Sequence, residues 1–240
     1  MTQRVESAGV VQPMAWLERA NRLSILARLV GSTVHDVNNA LQVIGGGVEL
    51  LQMKPAKPDE VTRAIGGQAE RANRLLQDLS RFARDTGGGV EPINLRDLAE
   101  HALALRHFAL TRLRATRAVE GDAVAVRAVR RDLLQIALNL LINAEMALPG
   151  TAGPTVRIVV AEGEHDATLV VEDNGPGVPA AARAALFERH PTAGEGPVDR
   201  LGIGLAVSRA LAERNGGTLT YMPREPAGAS FAVTLPISRR

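Results

Sequence analysis

The sequence lacks several features that would narrow its chemistry. There is no cysteine among the 240 residues, which excludes disulfides, thiolate nucleophiles and zinc–thiolate sites. Aromatic residues make up only 2% of the chain and hydrophobic residues 45%, so a core must consist of Leu, Val, Ile and Ala. No apolar run approaches the roughly 18 residues of a membrane span, and the N-terminus has no charged-then-apolar signal. These absences predict a cytoplasmic protein with no membrane span.

An excess of charge of one sign is also absent. The 28 Lys and Arg nearly balance the 26 Asp and Glu, for a formal net charge of +2. A balance of this kind does not predict a nucleic-acid partner. The length suits one large domain or two small ones.

Apolar residues repeat at heptad spacing in two stretches of the first third of the chain, which predicts two packed helices. The first seam consists of Val30, Val34, Val37, Leu41, Ile44, Val48 and Leu51. The second consists of Val61, Ile65, Gln68, Ala72, Leu75, Leu79 and Phe82. Two prolines in the intervening segment 54–60 break the helix. We predict a flexible N-terminus over 1–17 and an antiparallel helical hairpin over 18–85. Such a hairpin buries too little alone, so we expect it to dimerise into a four-helix bundle.

After a Gly-rich linker at 86–91, the pattern changes to that of an α/β domain over 92–240. Helices are predicted at about 95–114, 130–147, 180–187 and 205–215, and Gly216 and Gly217 end the last one. Strands are predicted in "TVRIVVAEG", "ATLVVEDNG", "GTLTYMP" and "ASFAVTLPI". The predicted fold class is therefore a helical hairpin followed by an α/β domain.

Three consecutive glycines, Gly45 to Gly47, interrupt the first helix. Each costs about 1 kcal/mol relative to Ala in a helix interior. Close packing of the two helices is one explanation and is favoured, because Gly permits close approach. A soft point that lets the helix bend is the other.

His35 is the first candidate for a reacting group. It lies just off the heptad seam, on the outer face of the helix, with Asp36 beside it. Asn39 lies one turn further on the same face. An exposed neutral imidazole has a nucleophilic nitrogen, and a neighbouring carboxylate can take up its proton. An ordinary solvated histidine is the alternative, and from this stretch alone it is favoured.

Two glycine motifs in the second half suggest a nucleotide site. Asp173 ends a predicted strand and is followed by Gly175 and Gly177; an Asp there can accept a hydrogen bond from an exocyclic amine. Gly202 and Gly204 lead directly into a helix, which would place backbone N–H groups at a phosphate. An ordinary turn is the alternative for the first motif, and each motif taken alone is weak evidence.

Two amides are placed on an otherwise apolar helix. Asn139 and Asn143 are four residues apart and share one face. Buried amides need partners, and a hydrated Mg2+ with phosphate oxygens would supply them. Helix capping or hydrogen bonding within the core is the alternative.

Taken together and in this order, these motifs resemble the bacterial sensor histidine kinases of two-component signalling, over about residues 20 to 236. The resemblance implies an α/β-sandwich ATP-binding domain of the Bergerat type behind the hairpin, with ATP and Mg2+ as cofactors. It makes His35 the phospho-acceptor, Asp36 the group that takes or orients the ring proton, and Asn39 the residue that orients a water. It assigns ATP binding to Asn139, Asn143, Asp173, Gly175, Gly177, Phe187, Gly202, Gly204 and Leu205. Arg200 is a further ATP-binding candidate by hypothesis, because it could supply a positive charge to the phosphates. Asn139 is also the implied Mg2+ ligand.

The activity implied by the resemblance is autophosphorylation of His35 from Mg-ATP. The phosphoryl group would then pass to an aspartate of a response-regulator receiver domain, which the same protein could also dephosphorylate. The resemblance further implies a homodimer. Only some 20 residues precede the bundle, so we expect no sensor domain in the chain and an input from a separate sensor protein.

The sequence departs from the family pattern at several positions. Met146 stands where many relatives have Lys or Arg, and His190 or Pro191 stands where a second aromatic is usual. Arg200 replaces a small hydroxyl residue, and the predicted lid at 188–201 is short. Two alternatives therefore stay open: a dimeric histidine phosphotransfer protein whose ATP-binding domain is degenerate, and a regulatory binding module of the same ATPase fold without phosphotransfer.

Overall fold

The computed structural model describes residues 4–53, 57–84, 88–188 and 202–237. The chain divides into two compact units. Residues 26–85 form one, which we call the hairpin unit, and residues 1–25 together with 86–240 form the other, which we call the sheet unit. Helix α1 (Arg4–Gln52) contributes its first part to the sheet unit and the rest to the hairpin unit. Helical backbone thus extends into the segment predicted to be flexible, and the unit boundary falls later than the predicted residue 18.

The hairpin unit consists of the rest of α1 and helix α2 (Pro58–Arg84). Helix α2 begins with Pro58, whose fixed φ suits the first helical position. Asp59 and Glu60 follow in the first turn, where a negative charge complements the helix dipole. One glycine explains how closely the two helices approach: a Cβ on Gly47 would lie 2.8 Å from Ile65 Cγ1, whereas Gly45 and Gly46 have open space.

The heptad seam of α2 is buried or half-buried along its length, as predicted. The seam of α1 is not, because several of its members keep a large exposed fraction. These exposed residues are Val30 (40%), Val34 (53%), Leu41 (55%) and Val48 (43%). They recur at helical spacing and form an apolar stripe along α1, which we call the α1 stripe.

The sheet unit contains a five-stranded sheet in the order β2-β4-β5-β7-β6. Its strands are β2 (Thr116–Gly121), β4 (Thr155–Glu162), β5 (Asp166–Asp173), β6 (Thr218–Pro223) and β7 (Ala229–Pro236). Only β2 and β4 pair in parallel; the other neighbours are antiparallel. Strands β1 (Glu91–Asn94) and β3 (Ala125–Ala128) form a separate antiparallel pair. Buried residues alternate along β4 and β5, so one face of the sheet is covered.

The helices of this unit are α3 (Leu95–Leu105), α4 (His107–Arg112), α5 (Arg130–Ala147), α6 (Ala180–Arg183) and α7 (Gly204–Arg214). Helix α5 packs against α3, α7 and strand β5, which explains why most of its residues are buried. Asn94 caps α3, since its Oδ1 accepts from the backbone N–H groups of Arg96 and Asp97. Helix α7 ends at Arg214, and Gly216, with φ +76°, follows the C-cap residue Asn215, as the glycine pair predicted.

The structure confirms the predicted fold class, a helical region followed by an α/β unit, with local differences. Arg106 (φ −104°, ψ 7°) breaks the single helix predicted over 95–114 into α3 and α4. Strand β1 begins inside the predicted linker 86–91, and α6 stops at Arg183. None of the helices in the described parts of the chain is both long and apolar enough to cross a membrane.

Candidate functional site

His35 lies exposed on α1 in the hairpin unit. Buried Thr33 and Ala40 flank it on the inner face of the helix, so the heptad pattern correctly placed the imidazole outside the core. Asp36, next in sequence, is half-buried. The amide nitrogen of Asn39 lies 3.0 Å from His35 Nδ1, one turn along the helix. The sequence-predicted pair is therefore in direct contact.

The contact with Asn39 bears on which ring nitrogen of His35 can react. A neutral imidazole carries one N–H, and the hydrogen bond made by one nitrogen selects the state of the other. As oriented, the amide N–H of Asn39 donates to Nδ1, which leaves the proton on Nε2. A half-turn of the amide would present its oxygen to an Nδ1–H and leave Nε2 without a proton. The same contact can thus serve both tautomers.

Asp173 lies at the end of β5 and is 3% exposed. Burial raises the pKa of its carboxyl group above the ordinary value, and hydrogen bonds from the Gly175 and Ala229 backbone with the charge of Arg224 partly oppose this. The Gly175 N–H donates to Asp173 Oδ1 at 2.8 Å. The result is a buried, oriented carboxyl group, which is the kind of group that can recognise an amine.

The two glycines after Asp173 have a local structural reason. A Cβ on Gly175 would lie 3.0 Å from the Ala147 carbonyl oxygen, and one on Gly177 would lie 2.7 Å from that of Gly228. Gly177 also has φ +72°, which side-chain-bearing residues rarely adopt. The turn therefore packs its backbone directly on neighbouring backbone.

Asn139 is 4% exposed, and its side chain is hydrogen-bonded to the second glycine motif, Gly202 and Gly204. Its Nδ2 donates to the Gly204 carbonyl oxygen at 3.2 Å and to Ser208 Oγ at 3.0 Å, so α5 is bonded to the first turn of α7. Helix α7 begins at Gly204 without a side-chain cap, and Gly202 before it has φ +63°. No side chain of the described residues caps its first N–H groups, and their role as donors to a phosphate stays a prediction.

Asn139 has a further partner that the sequence did not indicate. Asn21 and Asn139 donate to each other's amide oxygens, both at 2.9 Å. Gln135, one turn before Asn139 on α5, also donates to Asn21 Oδ1 at 2.7 Å. The position of Gln135 follows from helical spacing, but Asn21 is 118 residues away in sequence. Asn143, by contrast, is half-buried, and its side chain makes no hydrogen bond to the described residues.

The remaining predicted site residues are only partly described. Phe187 is half-buried beyond α6, and Leu205 is half-buried in the first turn of α7. Arg200, His190, Pro191 and nearly all of the predicted lid lie outside the described residues. No group of three or more His, Cys, Asp or Glu within the described residues could hold a metal ion.

Two family models match the chain, one for each region. Residues 25–88 match the His Kinase A (phospho-acceptor) domain. Residues 128–239 match the histidine kinase-, DNA gyrase B- and HSP90-like ATPase. The first match contains His35 and the second contains Asn139, Asp173 and Gly204.

Curated proteins are similar along nearly the whole chain. The C4-dicarboxylate transport sensor protein DctB of Rhizobium meliloti (strain 1021) is 31% identical over 91% of this chain and 36% of its own length. The signal transduction histidine-protein kinase AtoS of Escherichia coli (strain K12) is 26% identical over 92% of this chain and 36% of its own length. The sensor histidine kinase ZraS of the same organism is 27% identical, over 92% and 48%. The chain thus spans about a third to a half of the length of these relatives.

Solved structures agree in fold. The catalytic domain of histidine kinase ThkA has a TM-score of 0.55 at 22% identity and covers 63% of this chain and all of that one. Full-length ShkA in complex with AMPPNP has a TM-score of 0.54 at 22% identity, covering 89% of this chain and 46% of that one. ThkA in complex with the response regulator protein TrrA has a TM-score of 0.52 at 20% identity, covering 90% and 63%.

Proposed function

The chain belongs to the sensor histidine kinases, since it joins a phospho-acceptor domain to a histidine kinase-like ATPase domain, and on that premise we propose that it autophosphorylates His35 from ATP. The observation that carries the proposal is the exposed imidazole of His35 with its Nδ1 held by Asn39 at 3.0 Å. A ring held through one nitrogen presents the other in a defined direction, as in-line transfer of a phosphoryl group requires.

In the proposed reaction, His35 Nε2 attacks the γ-phosphorus of ATP. A nitrogen–phosphorus bond forms, the bond from the γ-phosphorus to the bridging oxygen breaks, and ADP leaves. The ring then carries one proton too many, and the carboxylate of Asp36 takes it. The tautomer that reacts is the one with hydrogen on Nδ1, which Asn39 would stabilise through its amide oxygen.

ATP would bind to the sheet unit. The carboxylate of Asp173 would accept a hydrogen bond from the adenine amine, and the N–H groups at Gly204 and Leu205 would meet phosphate oxygens. Asn139 and Asn143 fit a magnesium ion in donor chemistry, and Asn143 has an amide that no described residue occupies. Magnesium, when bound with ATP, would supply positive charge to the phosphate oxygens.

The phosphoryl group would next move from His35 to an aspartate of a response-regulator receiver domain. Asn39 would have a second role in the reverse task, orienting a water that hydrolyses the phosphorylated receiver. An input from a separate sensor protein stays a prediction.

The α1 stripe supports a homodimer. Its four apolar residues are 40–55% exposed and lie along one helix face. A row of this kind is typical of helices that pack against a second copy, and two hairpins would complete a four-helix bundle. We propose that this stripe lies at the dimer interface.

A histidine phosphotransfer protein with a degenerate ATP-binding domain is the second candidate. The observation that favours it is the engagement of Asn139 by Asn21, which uses the amide that a nucleotide would need. Met146, exposed at 53%, also provides no charge where relatives have one. This candidate requires phosphate to reach His35 from a receiver.

The test is incubation of the full chain with γ-labelled ATP and Mg2+. The wild type should acquire acid-labile, base-stable label, and His35→Gln should acquire none. His165→Gln is the matched control, since that histidine is exposed in the turn between β4 and β5. Label that survives in His35→Gln would refute the assignment. Absence of label from ATP, with label accepted from a phosphorylated receiver, would establish the second candidate.

A further inference from the structure

The segment Met14–Ile25 of α1, which we call the entry segment, belongs to the sheet unit together with the ATPase-like fold. Its inner side chains are buried there: Asn21 is 5%, Ser24 9% and Ile25 1% exposed. Asn21 exchanges two hydrogen bonds with Asn139 and accepts a third from Gln135. Three buried amides thus satisfy one another, which is the condition under which a buried polar cluster holds its elements in place.

An ion pair also binds the entry segment to helix α7. Arg214 on α7 donates to both carboxylate oxygens of Glu18, at 3.1 and 2.9 Å. Arg214 also contacts Asp132 of α5 at 2.8 Å. Gln135 adds a hydrogen bond to the Glu18 carbonyl oxygen at 3.4 Å. The entry segment is therefore bonded to both helices that carry the predicted nucleotide-binding residues.

Asn21 occupies both the nitrogen and the oxygen of the Asn139 amide. Three acceptors, on Asn21, Gly204 and Ser208, lie within hydrogen-bond distance of its two N–H groups, and its oxygen accepts from Asn21. The residue is also 4% exposed, so a hydrated cation or a phosphate oxygen that bound this amide would have to displace Asn21. Binding at Asn139 requires the entry segment to move.

We propose that the entry segment is an intramolecular brake, in which Asn21 and magnesium-bound nucleotide compete for Asn139. This inference rests on the proposed function, because it assigns regulation to the same ATP site. The brake is part of the helix that carries His35, so an input that shifts α1 would change nucleotide access without any contact at the nucleotide itself. A ligand that binds only the released state would, by linkage, favour release.

The experiment measures the affinity of the full-length protein for trinitrophenyl-ATP, with and without Mg2+. Asn21→Ala removes the competing amide and should tighten binding in Mg2+ by about tenfold, the equivalent of one to two net hydrogen bonds. The difference in affinity between Asn21→Ala and the wild type should be smaller when Mg2+ is chelated. Asn38→Ala is the matched control, since Asn38 is an exposed asparagine of the same helix.

A second variant protects the test against loss of folding. Glu18→Gln weakens only the contact with Arg214 at the margin, and it should tighten binding by a few-fold. Equal affinity for the wild type, Asn21→Ala and Glu18→Gln would overturn the brake and leave the proposed function intact. Failure of all of these proteins, including Asn38→Ala, to bind the probe would overturn the proposed ATP site and the brake with it.

Discussion

A buried ion pair joins Arg106 to Glu145 on α5, the helix that carries Asn139 and Asn143. Its removal should lower the free energy of unfolding. Arg106 Nε donates to Glu145 Oε1 at 2.7 Å and Nη2 donates to Oε2 at 2.6 Å. The two side chains are only 4% and 8% exposed. Arg106 lies at the break between α3 and α4, and Glu145 lies on α5. The perturbation is Glu145→Ala, which leaves the guanidinium buried without its carboxylate.

The expected magnitude follows from that burial. Removing one partner of a buried ion pair costs about 3–5 kcal/mol, since an uncompensated charge stays in a low-dielectric site. Among the described residues, both hydrogen bonds of the Arg106 side chain go to Glu145, and its Nη1 is buried without a partner. The guanidinium would therefore lose both bonds in Glu145→Ala. A loss of this size is a large part of the roughly 5–15 kcal/mol that stabilises a typical domain.

The assay is urea unfolding followed by far-UV circular dichroism. Glu145→Ala and Arg106→Met should each lower the free energy of unfolding by about 3–5 kcal/mol. The double variant should lose much less than the sum, because it leaves no unpaired charge. Glu213→Ala is the control, since it removes a pair with Arg209 that is about half exposed and worth at most about 1 kcal/mol. A Glu145→Ala protein within about 1 kcal/mol of the wild type would refute the reasoning.

Three further predictions follow from other contacts. Gly46→Ala should stabilise the hairpin by about 1 kcal/mol, whereas Gly47→Ala should gain nothing or lose up to about 2 kcal/mol through its clash with Ile65; equal shifts in thermal unfolding would contradict this. The raised pKa of Asp173 favours its protonated form in the folded state, so the stability it contributes is present below the ordinary value of 3.8 and lost as pH rises through the folded value. Asp173→Asn should therefore gain stability relative to the wild type between acidic and neutral pH, and urea midpoints that shift in parallel would argue against it. Asn39→Ala should slow autophosphorylation by up to about tenfold while ATP affinity stays unchanged, and an unaltered rate of labelling would exclude a role in holding the ring.

Much of the candidate site was predictable because its signals are local. His35 and Asn39 contact each other because a helix brings residues four apart onto one face, and the heptad pattern already predicted that helix. The Gly202–Gly204 motif leads into α7 for a similar reason, since its glycines and the apolar spacing behind them specify a helix start.

Other parts were not predictable from local pattern. The helical pattern over 95–114 gave no sign of the break at Arg106, nor of the ion pair that this residue makes with a carboxylate 39 residues later. Strands β1, β2 and β3 are short and only partly buried, and their apolar alternation is too brief to stand out from the flanking residues. The three glycines of α1 are equivalent in sequence, yet only Gly47 meets the facing helix.

The sequence by itself determined the order of the two regions, the helical position of His35 and the residues of the glycine motifs, because each depends on neighbours within a turn or two of backbone. Only the tertiary structure decided which glycine is needed for close packing and which carboxylate pairs with Arg106. It also decided that Asn21 takes the amide of Asn139. These contacts join residues 18 to 118 positions apart, and their partners depend on how the elements pack, which no local periodicity records.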